Sequence, residues 1–194
     1  MNLAADINIV WPELFVAVAA MLLMMIGVFQ GNKSARMISW LGVGVLTVAG
    51  ILVIAGPAGR TIGFNNLFVV DEFANFAKIL LLLGAVLTLI LAMPFNAREG
   101  IPQFEFPVLI FFAVLGMMMM VSANDLISLY LGIELQSLSL YVLAAIRRDA
   151  MRSAEAGLKY FVLGALSSGI LLYGMSLVYG FAGSTGFDNL ATLF

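Results

Sequence analysis

Apolar residues run in six long blocks along the chain, broken by short connections that hold most of the charge, Pro and Gly. The blocks fall at 10–29, 38–56, 73–94, 104–122, 125–146 and 155–181. Each approaches or exceeds the roughly 20 residues that a helix needs to cross a bilayer. None shows the strict alternation of a half-buried strand, so the pattern predicts six transmembrane helices. The edges carry matching signals. Trp11 and Pro12 suit an interfacial anchor and a first helical turn, Pro57 and Pro94 are expected to follow or close helices, and Asn124 or Asp125 can cap the fifth. The connection between the fourth and fifth blocks is so short that those helices must be antiparallel neighbours.

Composition adds that no soluble core could hide this surface: 63% of residues are hydrophobic and 10% charged, and mean hydropathy is +1.10. The first residues do not fit a cleavable signal, because Asp6 and Glu13 stand where a basic region belongs. Lys33, Arg36, Arg98, Arg147, Arg148 and Arg152 follow blocks one, three and five, whereas Arg60 alone follows blocks two, four and six. The positive-inside rule therefore predicts both termini on the outer face of the membrane. Nothing in the charge pattern suggests nucleic acid. The chain has no Cys and no His, so thiolate clusters, imidazole ligands and the usual proton carrier near neutral pH are excluded.

Proton chemistry must then use carboxylates, lysines, tyrosines and water. Glu134 lies mid-way along the fifth block, well over about 10 Å of helix from either end, where a carboxylate is costly and marks an ion or proton path by default. Tyr130, Ser137 and Tyr141 lie at i−4, i+3 and i+7 and share its face, either ordering water beside the acid or packing helices together. Lys159 lies in the block that returns beside Glu134. Its stem is long enough to reach the headgroups, so a snorkelled lysine competes with a functional one. Lys78, Asp71 and Glu72 open the third block and read as mainly interfacial, with the acids favoured at a helix amino terminus. Met117 to Met120 point around a whole helix and read as core or lipid-facing filler, not a metal site. Gly164 with Ser168, and Ala165 with Gly169, signal close helix packing.

The stretches LYLGIELQSLSLYVLAAIRRD (129–149) and SAEAGLKYFVLGALSSGILLYGMSLVYGFAGST (153–185) resemble the subunit N family of the bacterial proton-pumping NADH:quinone oxidoreductase, respiratory complex I, of alphaproteobacterial type. Ile133 and Gln136 separate it from the related L and M subunits and from subunits of cation/proton antiporters. The resemblance implies an all-α membrane fold, the first part of an antiporter-like bundle. Residues 1–94 would form its leading three helices, and 95–194 helices four to six, the start of a five-helix repeat. It implies that Glu134 and Lys159 belong to a chain of proton-transferring residues, and that the family fold continues past Phe194, so that an amino-terminal piece is expected. NADH, FMN, iron–sulfur clusters and quinone would be held by other subunits, with none in this chain. Partners would be other membrane-arm subunits, especially antiporter-like neighbours, and the lipid bilayer. The alternatives are a cation/proton antiporter subunit or a non-catalytic membrane scaffold.

Overall fold

The computed structural model describes residues 3–57, 59–101 and 103–193, so the outer limits of the two expected domains, residues 1 and 194, lie outside the described residues. A short helix α1 (Leu3–Ile9) leads into α2 (Trp11–Gln30). A 3-10 turn (Gly31–Ser34) joins α2 to α3 (Ala35–Ile54). After a hairpin of β1 (Thr61–Gly63) and β2 (Phe68–Val70) come α4 (Glu72–Arg98), α5 (Glu105–Val121), α6 (Leu126–Ala144), α7 (Met151–Ala182) and α8 (Phe187–Leu193). Among the described residues, four stretches are long and apolar enough to cross a membrane: Trp11–Ile54, Glu72–Arg98, Leu126–Ala144 and Met151–Ala182. The first of them contains both α2 and α3, and α5 is an apolar helix just below that length.

The long helices run back and forth between two ends. Gly31, at φ 67°, lets the chain reverse after α2, and the start of α2 at Trp11 and Pro12 then shares a cavity with Leu52 and Val53 at the end of α3. At the opposite end, Arg147 pairs with Glu99 and Arg148 with Glu105, which joins the α4–α5 and α6–α7 connections. At the Trp11 end, Val69 N–H donates to Ser122 O at 2.8 Å, Asn124 N–H to Leu67 O at 3.0 Å, and Leu126 N–H to Thr185 O at 3.0 Å. The β-hairpin is thereby pinned to the α5–α6 turn, and the first residue of α6 to the segment that follows α7, which fixes where α6 begins.

The core gathers Val16, Ala20 and Leu23 of α2, Ile38 and Leu46 of α3, Leu89 of α4, and Phe111, Val114 and Met118 of α5. Helix α5 is central to it. Helix α6 crosses α5 at two glycines: a Cβ added at Gly116 would lie 2.6 Å from Gln136 N and 2.7 Å from Gly132 O. Small residues at the crossing allow backbone to approach backbone, the usual way apolar helices associate in lipid. Helix α7 packs on α6, and within its most apolar window no residue is buried.

Several expectations need correction. Pro94 does not close its helix: α4 continues through it to Arg98, with the Ile90 carbonyl left without its usual partner because Pro has no N–H. The hairpin at 61–70 was not anticipated. Its turn holds Phe64, Asn65 and Asn66 at φ between 53° and 73°, and two consecutive Asn residues, which tolerate that region, were the available signal. Helix α7 begins at Met151 rather than near 155. Other expectations are met. Asp125 caps α6 by accepting from Ile127 N at 2.7 Å, Pro12 lies in the first turn of α2, and Met118 is fully buried in the core.

Candidate proton-transfer site

Glu134 lies nine residues into α6 from its Asp125 cap, about 14 Å along the axis at a rise of 1.5 Å per residue. Its face of α6 is turned toward α7. The Ser168 hydroxyl donates to Glu134 Oε1, and the Tyr130 hydroxyl lies 2.9 Å from Ser168 Oγ. A serine hydroxyl has one proton, so with that proton on Glu134 the phenol must be the donor to Ser168. Carboxylate, hydroxyl and phenol then form one directed chain along which a proton can shift. Further along the same face, Tyr141 meets Tyr160 and Phe161 of α7 edge-on, with ring centroids at 4.7 and 5.8 Å, and its hydroxyl fills the space where Gly164 lacks a side chain. On this stripe Tyr130 reaches the acid through Ser168, and Tyr141 packs the helices together. Of the two small-residue pairs, Gly164 and Ser168 face α6, whereas nothing lies within 4 Å of a Cβ at Gly169.

Lys159 is not brought to Glu134. It lies nine residues before Ser168 on α7, about 14 Å along the helix, and its side chain is 70% exposed, paired with Glu155 at 2.5 Å. Any effect of its charge on Glu134 acts at a distance, not by contact.

The reading of Lys78 as interfacial is overturned. Lys78 is 1% exposed, and its Nζ lies 2.7 Å from Oε1 of Glu13, itself 5% exposed. The hairpin covers that end of the bundle, and the Phe68 ring, with its centroid 5.1 Å from Nζ, blocks the outward route a snorkelling lysine would take. Asp71 and Glu72 keep their expected places: Asp71 caps α4 through Ala74 N at 2.7 Å, and Glu72 is exposed. In the sequence Glu13 reads only as an acid near the start. The available signal was that Glu13 and Lys78 lie at similar depths from the same end on two blocks that both enter there. Among the described residues, no group of three or more acidic, His or Cys side chains could hold a metal.

Residues 123–194 match the family described as NADH:quinone oxidoreductase/Mrp antiporter, transmembrane. The chain is 54% identical over 190 residues to NADH-quinone oxidoreductase subunit N of Maricaulis maris, an alignment that covers 97% of this chain and 40% of that protein. With the subunit N of Rhodospirillum rubrum it shares 58% over 182 residues, 93% of this chain and 37% of the relative. The chain belongs to the NADH-quinone oxidoreductase subunit N family. It spans about 40% of the length of the curated relatives it matches. Its fold is similar to one in respiratory complex I from Thermus thermophilus, with a TM-score of 0.74 at 30% identity over 90% of this chain and 38% of that one. An archaeal membrane-bound sulfane sulfur reductase shares the fold at a TM-score of 0.68 and 22% identity, over 98% of this chain and 40% of that one. The family match begins at the α5–α6 turn and so contains α6 and α7, the helices that carry Glu134, Ser168 and Lys159.

Proposed function

We propose that this subunit N chain serves in the membrane arm of a proton-translocating NADH:quinone oxidoreductase, with Glu134 taking up and releasing a proton. The observation that carries the reading is the mid-helix carboxylate held by Ser168 and, through it, by Tyr130. An acid at that depth is costly to keep and is put to use in transport proteins. When Glu134 is ionised, the hydroxyl donates to it. When it is protonated, its own O–H can donate and the chain can reverse. Membership of the subunit N family supports the same role.

Lys159 is the second candidate proton-transfer residue. A charged Lys159–Glu155 pair facing hydrocarbon is unfavourable, so that face of α7 should meet protein or water when the complex is assembled. Partners are then other membrane-arm subunits, especially antiporter-like neighbours. NADH, flavin, iron–sulfur and quinone chemistry belongs to other subunits, since clusters need thiolates and this chain has no Cys.

In this reading α2 to α7 make six spans, with the amino terminus on the periplasmic side of the inner membrane. The support is the charge distribution: Lys33, Arg36, Arg98, Arg147 and Arg148 lie at one end of the bundle and Arg60 at the other. Purification in mild detergent tests the assignment. The chain should travel with other membrane-arm proteins and with NADH:quinone reductase activity. Its recovery only as a monomer, without either, would remove the complex I reading.

A further inference from the structure

The Glu13–Lys78 pair is expensive in a way that a structural clamp need not be. Two charges taken out of water each cost several kcal/mol, and their attraction offsets this only when the remaining lone pairs are satisfied. Here they are not, because Oε2 of Glu13 is buried without a hydrogen-bond partner among the described residues. Buried polar atoms are nearly always paired or wetted, so an orphan of this kind needs its own explanation.

The pair also lies between two cavities. Lys78 lines one of about 270 Å³, together with Asn75 and with Asn8, which is exposed at the Trp11 end of the bundle. Glu13 lines the other, of about 360 Å³, which passes Phe68 and Met119 to reach Ser128 and Leu131 on α6. Leu131 is one helical turn from Glu134. The first cavity is mostly apolar but has room for water beside three polar side chains, those of Asn8, Asn75 and Lys78. Of the other acids at this end, Asp71 is engaged with Ala74 N at 2.7 Å, Asp6 with Phe64 N at 3.3 Å, Asp125 with Ile127 N at 2.7 Å and Asp188 with Arg60 at 3.1 Å, and Glu72 is exposed.

We infer that Glu13 and Lys78 form a second proton-exchange site, which joins the aqueous side at Asn8 to the cavity leading to α6. The transfer is balanced within the pair. An Nζ–H bond of Lys78 breaks and an O–H bond forms at Glu13 Oε1, giving a neutral amine and a neutral acid with no change in net charge. The amine then takes a proton from a hydronium in the Asn8 cavity, leaving water there, and Glu13 passes its own to a water beside the Ser128 hydroxyl in the second cavity, which restores the ion pair. The transfer within the pair moves no net charge in the low-dielectric surroundings, and the pair carries one positive charge only between uptake and release.

The inference rests on the proposed function only for its place in the pump, so the test has two arms. In the first, pH-difference infrared spectra of the intact complex are compared with those of Glu13→Asp, which keeps the acid but alters its environment. A protonated-carboxyl band that titrates and moves in the variant is expected; a spectrum unchanged by Glu13→Asp overturns the site. In the second, NADH-driven proton uptake in vesicles, scaled to assembled complex, is measured for Glu13→Gln/Lys78→Met and for the exchanged pair Glu13→Lys/Lys78→Glu. Loss of uptake in the neutral pair with partial recovery in the exchanged pair is expected, whereas parental uptake by the neutral pair makes it a clamp and overturns the relay. If Glu134→Gln pumps normally while the Glu13 band still titrates, the pump assignment fails and the exchange site stands.

Discussion

Replacing Gly116 with alanine is expected to destabilise the protein by forcing α5 and α6 apart. The new Cβ would lie 2.6 Å from Gln136 N, 2.7 Å from Gly132 O and 3.1 Å from Gln136 Cα, all short of the 3.4 Å at which ordinary contact begins. The atoms in the way are backbone, so no side chain can swing aside and the helices must separate by several tenths of an ångström. Overpacking of this kind costs about 1–3 kcal/mol, which for a chain of this size lowers the melting temperature by roughly 2–12 °C. Gly84→Ala is the control. A Cβ there meets nothing within 4 Å, and the better helix propensity of alanine should leave stability unchanged or raise it by up to about 1 kcal/mol. Both are read by circular-dichroism melting of the purified protein in one detergent. Because Gln136 and Gly132 flank Glu134, the Gly116 variant should also pump less per assembled complex. A melting temperature for Gly116→Ala equal to or above that of Gly84→Ala would refute the crossing described here.

Lys78→Ala leaves Glu13 buried without its cation and should cost about 3–5 kcal/mol by the same melting assay, whereas Lys159→Ala removes an exposed pair and should cost no more than about 1 kcal/mol. Asp188, outside the spanning helices, is held below its ordinary value of 3.8 by hydrogen bonds from Asn124, Arg60 and Asn66. A lowered carboxyl contributes stability that is present above the unfolded value and lost as pH falls through the folded one. Amide exchange in the 60–66 and 184–189 segments should therefore quicken as the pH drops from about 5 to about 3 in the parent protein, beyond the intrinsic pH dependence, and Asp188→Asn should remove that response. For orientation, cysteines at Asn32 and Arg148 should be shielded from an impermeant outside reagent and one at Gly186 should react; labelling of position 148 from outside would reverse the proposed topology.

The helices were legible in the sequence because lipid imposes a single length and a single kind of residue on every span. The Asp125 cap and the antiparallel α5–α6 pair followed from local chemistry and a short connection. Glu134 stands out for the same reason, since one acid in an apolar run is costly at that depth. What escaped depended on which elements cover which. Lys78 looks interfacial because its distance from Asp71 is within reach of water; only the folding of the hairpin and Phe68 over that end turns it inward to the sequence-distant Glu13. Lys159 was placed beside Glu134 because α7 returns next to α6, yet helix rotation, set by Gly164 against Tyr141, presents Ser168 to the acid and turns Lys159 away. Pro94 misled because proline usually ends a helix in water, whereas here α4 continues past it.

The central claim is that Glu134 carries a proton, and its most direct measurement is NADH-driven proton uptake per NADH oxidised in membrane vesicles with Glu134→Gln, scaled to the amount of assembled complex. Glutamine keeps the size and much of the hydrogen bonding to Ser168 but removes the exchangeable proton. The account predicts normal assembly with a reduced uptake ratio, and a milder loss for Glu134→Asp. Assembly and uptake both at parental values for Glu134→Gln would contradict it and leave the acid as a packing residue.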